Sequence, residues 1–337
     1  MKRERSYSVA LAVGSVAVLG VLAGWSGSSS AFIGDDGYSY TQPAAELVMP
    51  FDVSSDENET FLVVSNTAGT SSGVQAVTTH WRFWSETCDE LADFSVCLTL
   101  NDTIVVDPRD MQSVQIDNTR AGPTIDLSGH SGVVTVVAYT TNDACDTFQR
   151  PGASIRDNAI VGSFTVANTT ANFAFGADAL GLGMSGGRVV VPPPAGQSVS
   201  RYDIQIFNPN TLDVSEVFFT RLQQQTTGPV IPKAAPALRF ATAFIDNLEV
   251  PTSLPDTIVG CVKVTSVQPG LIPDTVTINS AGLIRLTPVS GVGPNDYLWG
   301  AVGEAIGPFG VGATLKTDFA ASSPSRAFLD ADDALIH

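Results

Sequence analysis

The sequence predicts an all-β protein with two β-sandwich, Ig-like domains in tandem, antiparallel sheets and very little helix. Three observations predict it. Short apolar stretches follow one another along the whole chain, rich in Val, Ile, Thr and aromatic residues. Gly, Pro, Asn and Asp punctuate them at close intervals. Helical periodicity is almost absent. At 337 residues the chain is too long for one small sandwich and comfortable for two.

Residues 1–31 have the pattern of a signal peptide. Lys2, Arg3 and Arg5 form a positive start, residues 9–22 are an apolar core, and Ser29-Ser30-Ala31 puts small residues at the cleavage positions. The apolar run falls short of the ~20 residues a spanning helix needs, so no transmembrane segment is expected after cleavage. No cysteine sits near the cleavage point, which argues against a lipid-modified N-terminus. The expected location is outside the cytoplasm: extracellular, cell surface or periplasm.

The net charge of −17 excludes nucleic acid and anionic lipid as natural partners, because both would be repelled. Beyond the leader only Lys233, Lys263 and Lys316 remain as lysines. Solubility in a salty medium, where screening hides self-repulsion, accounts for such a balance.

Residues 32–43, rich in Gly, Asp and Ser, read as a flexible mature N-terminus. The first domain is expected over 44–173, with strands at 46–53, 60–65, 77–84, 94–106, 111–116, 132–140 and 160–167. Its centre is Val77-Thr78-Thr79-His80-Trp81-Arg82-Phe83-Trp84. Alternation there puts Val77, Thr79, Trp81 and Phe83 on one face and Thr78, His80, Arg82 and Trp84 on the other. Thr87-Cys88-Asp89-Glu90 has capping-box spacing and predicts one short helical turn. Glycines from Gly176 to Gly187, followed by Pro192-Pro193-Pro194, mark residues 174–197 as a linker. A second sandwich is expected over 198–320, with strands at 200–207, 215–222, 238–245, 257–267, 275–278, 283–286, 297–305 and 313–319. Residues 321–337 form an acidic tail.

Four cysteines in an exported chain predict disulfides. Local order favours Cys88 with Cys97, leaving Cys145 with Cys261. Cys88–Cys145, with Cys97 or Cys261 free, is the rival. No C-x-x-C occurs, so a zinc site or redox motif of that type has no support.

Two glycine-rich matches fail on context. Gly181-Leu182-Gly183-Met184-Ser185-Gly186 fits the dinucleotide fingerprint, but a strand-like run ending in proline follows it where a helix is required. Gly183-Met184-Ser185-Gly186-Gly187 fits the nucleophile elbow, but the only histidine downstream is His337. Acidic groups at Asp35-Asp36, 52–59, 107–110 and 330–333 could hold calcium; none has the EF-hand spacing, and a solvated turn is the simpler reading of each. No cofactor or metal site is therefore assigned, with calcium kept as the one candidate. Asn58-Glu59-Thr60, Asn101-Asp102-Thr103 and Asn168-Thr169-Thr170 have the form of glycosylation sequons, which matters only where the host glycosylates exported asparagines.

The residue types support no catalytic assignment. His80 has no second histidine at metal spacing. Trp84, on the polar face of its strand, is the candidate for stacking on a sugar. The expected function is that of a secreted or cell-surface, non-enzymatic structural or interaction protein with a protein or glycan partner. The alternatives are an extracellular carbohydrate-active enzyme using paired carboxylates and a sugar- or calcium-binding module.

Overall fold

Residues 38–39, 43–67, 76–111, 125–141, 145, 154–170, 173–191, 198–290, 296–306, 309–314 and 316–320 are described by a computed structural model. The predicted leader, most of the N-terminal segment, the strand expected after Met111 and the acidic tail lie outside them.

The described residues are mostly strand with very little helix, and the strands of every sheet pair antiparallel. In the first half, a six-stranded sheet runs in the order Tyr38–Ser39, Leu180–Leu182, Glu46–Asp52, Ser131–Thr140, Val77–Ser85, Glu90–Leu98. A four-stranded sheet faces it, in the order Thr103–Val106, Asn58–Asn66, Ile160–Asn168, Phe173–Asp178. The predicted alternation along Val77–Ser85 holds on its core face, where Val77, Thr79, Trp81 and Phe83 are fully buried. Trp81 and Phe83 stack on Phe94 of the hairpin partner at 5.6 and 6.0 Å, and Phe51 meets Phe83 edge-on at 5.5 Å. Each such ring contributes about 2–3 kcal/mol by burial, which makes this hairpin the anchor of the first half.

In the second half, one five-stranded sheet runs Pro251–Val259, Leu238–Asp246, Gly282–Ser290, Ser198–Ile206, Lys316–Ala320. The other runs Ile231–Pro232, Glu216–Gln223, Asp296–Ile306, Phe309–Thr314, with Val262–Ser266 also pairing on Glu216–Gln223. Tyr202 joins the two: its ring meets Phe240 and Tyr297 edge-on at 5.7 and 6.0 Å, and its hydroxyl accepts the Leu298 N–H at 3.2 Å. That bond satisfies a phenol with no access to water.

One continuous apolar core runs through both halves. Phe164 and Phe175 of the four-stranded sheet pack on Trp299 and Phe218 of the second half, at 6.4 and 6.1 Å. The glycine-rich stretch expected as a linker builds sheets instead. Phe173–Asp178 pairs with Ile160–Asn168, and Leu180–Leu182 inserts beside Glu46–Asp52. Ala, Leu and Phe alternate with the glycines here, and a Cβ at Gly176 would press against the Phe164 carbonyl at 2.8 Å. These glycines permit close backbone approach rather than a loose tether.

The cysteine pairing corrects the local expectation. Cys88 is joined to Cys261 and Cys97 to Cys145, each pair with Cα atoms 5.5 Å apart. Cys88 lies at the hairpin turn, whereas Cys97 lies near the far end of Glu90–Leu98. At ~3.3 Å per strand residue they stand roughly 20 Å apart, beyond the reach of a disulfide. The helical turn expected at 87–90 is a tight hairpin turn, with the Cys88 N–H donated to the Ser85 carbonyl at 3.1 Å. The strand expected at 94–106 divides at a turn, and Thr103–Val106 crosses to the other sheet. The strand expected at 257–267 likewise divides, into Pro251–Val259 and Val262–Ser266, and 275–278 is not strand.

Candidate functional site

The face of the six-stranded sheet turned away from the four-stranded one carries a polar island in an otherwise apolar surface. Strand pairing sets His80 beside Ser95 on one neighbour and Val137 on the other, with Glu46 opposite Val137 one strand further on. The next row holds Arg82, Asp93 and Thr135. Valines and leucines fill the rest: Val48, Val133, Val137, Leu180 and Leu182 are all buried.

His80 is the centre of the island. Its Nε2 lies 2.9 Å from the Arg82 Nε, and its Nδ1 lies 3.0 Å from the Ser95 hydroxyl. Asp93 stands 3.9 Å from Nε2, and the Tyr139 ring approaches edge-on at 6.4 Å. Serine, histidine and aspartate together have the membership of a hydrolytic triad, but the proton positions are wrong for one. A guanidinium only donates, so Nε2 is the acceptor and Nδ1 carries the hydrogen. His80 therefore donates to Ser95 and has no lone pair with which to take its proton. Burial, and next the Arg82 charge, hold the His80 pKa below its ordinary value, which keeps the ring neutral.

Glu46 completes the island. It is fully buried, and its Oε2 accepts the Val230 N–H from the second half at 2.8 Å. Burial pushes its pKa up to about 8, against the lowering effects of the Val230 bond and the Arg82 charge. A neutral carboxyl thus seals the junction at neutral pH.

The other candidates fall as follows. Trp84 is half-buried, and its indole N–H donates to the Thr135 hydroxyl at 3.1 Å, so it is held against the sheet. Gly186 and Gly187, with φ of +60° and +80°, make the turn of a two-strand hairpin, Met184–Ser185 with Arg188–Val189. Both positive angles suit this turn, which is neither a phosphate loop nor a nucleophile elbow. The acidic turn at 54–59 holds the chain's own cation: Arg109 donates to the carbonyls of Ser55 and Asn58. Among the described residues no group of three or more His, Cys, Asp or Glu side chains is placed to hold a metal. Asp35-Asp36 and 330–333 lie outside the described residues.

Sequence reasoning reached His80, Arg82 and Trp84 by strand parity but missed Ser95, Asp93 and Glu46. The first two were within reach of the hairpin register. The signal for Glu46 was a lone acid heading the apolar run Leu47-Val48-Met49-Pro50-Phe51.

No protein-family model matches the chain, and no curated protein does. Among solved structures, the crystal structure of PBSX exported protein XepA aligns with 74% of this chain and 83% of its own, at 9% identity and a TM-score of 0.19. A likeness that slight carries no argument. The all-β architecture and the two disulfides fit an extracellular protein. No helix among the described residues is long and apolar enough to cross a membrane.

Proposed function

We propose that the protein is exported and serves outside the cytoplasm as a non-enzymatic structural or interaction module. One observation carries the reading: all four cysteines are engaged in disulfides, with none left as a thiol. Reducing compartments keep thiols free, so full pairing belongs with an oxidising one. The N-terminal leader pattern points the same way. The tautomer of His80 supports the non-enzymatic part, because Arg82 and Ser95 engage both ring nitrogens as a structural bridge.

Cell fractionation with N-terminal sequencing tests the export half. Mature protein beginning near Phe32 outside the cytoplasm is expected; full-length protein inside it overturns the reading. A polysaccharide-hydrolysis panel tests the other half. Turnover abolished by single Asp or Glu substitutions would replace this function with a carboxylate enzyme.

A further inference from the structure

We infer that Asn101 is the site at which the exported protein carries an N-linked glycan, and that Asn58 and Asn168, though they head the same motif, stay unmodified. The inference rests on the export reading and goes beyond it, to a covalent modification.

The sequence holds three Asn-x-Thr motifs with no proline between, and nothing in the motif ranks them. The fold ranks them. Asn58 is buried, and its amide is fully engaged: Nδ2 donates to Asp52 Oδ2 at 2.8 Å, and Oδ1 accepts the Asn168 Nδ2–H at 2.8 Å. Arg109 covers the Asn58 carbonyl as well. A sugar on the Asn58 nitrogen would need space that a residue 7% exposed does not have. A sugar on Asn168 would displace the bond to Asn58. The two asparagines hold one another, so neither can carry a glycan in the folded protein.

Asn101 differs on each count. Asn101, Asp102 and Thr103 are all exposed, at the turn between Glu90–Leu98 and the edge strand Thr103–Val106. The Asn101 backbone is left-handed, with φ of +65°, and its N–H is donated to the Asn66 carbonyl at 3.0 Å. This leaves the turn anchored by the main chain and the side-chain amide outside the fold. The Thr103 hydroxyl shares a 2.7 Å hydrogen bond with Ser65 at the surface, an exchange that water can replace.

The transfer is a substitution with no redox change. The Asn101 Nδ2 bonds to the anomeric carbon of a lipid-phosphate-linked oligosaccharide. The bond from that carbon to phosphate oxygen breaks, the lipid phosphate leaves with the electron pair, and an amide proton passes to a base of the membrane-bound transferase and then to solvent. The reaction requires that donor and a transferase in the host's export membrane. A chain with a sugar on Asn58 or Asn168 cannot form the bonds that join Asp52, Asn58 and Asn168, so the folded, exported product carries its glycan on Asn101 alone.

The test is to express the full chain with its leader in a host that N-glycosylates exported proteins, and to map sites on the exported protein by electron-transfer fragmentation of its peptides. A glycan on Asn101, with Asn58 and Asn168 bare, is expected. Thr103→Ala should abolish it, Thr103→Ser should restore it, and Asn101→Gly, which suits the left-handed backbone, should give folded protein without it. Exported protein with Asn101 bare, or with a glycan on Asn58 or Asn168, overturns the inference. Failure to find the protein outside the cytoplasm would instead strike the export reading, and cell fractions from the same culture separate the two.

Discussion

The Glu46 carboxyl accepts the backbone N–H of Val230 at 2.8 Å across 184 positions of sequence. It does so in full burial, with its other oxygen lacking a hydrogen-bond partner. Burying an ionised carboxylate this way would be costly, so the group keeps its proton.

A pH dependence follows from that proton. The folded pKa of about 8 lies above the ordinary 4.5, so between these values the folded state binds a proton that the unfolded chain has lost. The stabilisation is therefore fully present below about pH 4.5 and is lost as pH rises through about 8. Burial raises Glu216 to about 7, with a further push from Asp52, and it raises Glu304; both act in the same direction. Glu46→Gln keeps the acceptor for Val230. Denaturant unfolding should find it close to the parent at about pH 5, and more stable by on the order of 2–4 kcal/mol at about pH 9.

His80 should titrate the other way. Its folded pKa lies below the ordinary 6.5, through burial first and Arg82 second. Stability from the neutral ring is present above about pH 6.5 and is lost as pH falls through the folded pKa. Arg82→Leu removes a nearby cation, so the NMR titration midpoint of His80 should move up. Glu46 should move up as well, since Arg82 holds it down. An unmoved His80 midpoint would mean that the Arg82 charge does not reach the ring.

The disulfides should differ in weight. Cys88–Cys261 closes a separation of 173 residues and Cys97–Cys145 one of 48. Chain-entropy bookkeeping gives about 5 and about 4 kcal/mol for loops of these sizes. The double alanine variant of the first pair should unfold at lower denaturant than that of the second. Non-reducing peptide mapping should recover Cys88 linked to Cys261.

Gly303 lies against Phe175 where the two halves meet. A Cβ there would run into the Phe175 ring, including the ring carbon nearest its own backbone. That part of the side chain cannot swing clear, so Gly303→Ala should destabilise by about 1–3 kcal/mol. Calorimetry reads the loss as a lower unfolding temperature. Phe175→Leu in the same chain should recover part of it, by making room.

Much of the first sheet was legible locally. Strand alternation in Val77–Ser85 depends only on neighbouring residues, and so it placed Trp81 and Phe83 in the core and His80, Arg82 and Trp84 together. Strand-forming composition and turn residues act over the same short range, which is why the all-β class and most strands could be read. The divided strands at 94–106 and 257–267 were harder, because a continuous apolar run does not say at which residue the chain leaves one sheet for another.

What the sequence by itself determined was the all-β class, most of the strands, the two faces of the strand at 77–84 and the oxidisable cysteines, since each depends on the pleat and on residue type. Only the tertiary structure decided that Cys88 meets Cys261, that a stretch rich in glycine supplies strands, and that Glu46 is neutral against Val230. These depend on which surfaces exclude water together, and residues far apart in the chain carry no local trace of their eventual neighbours.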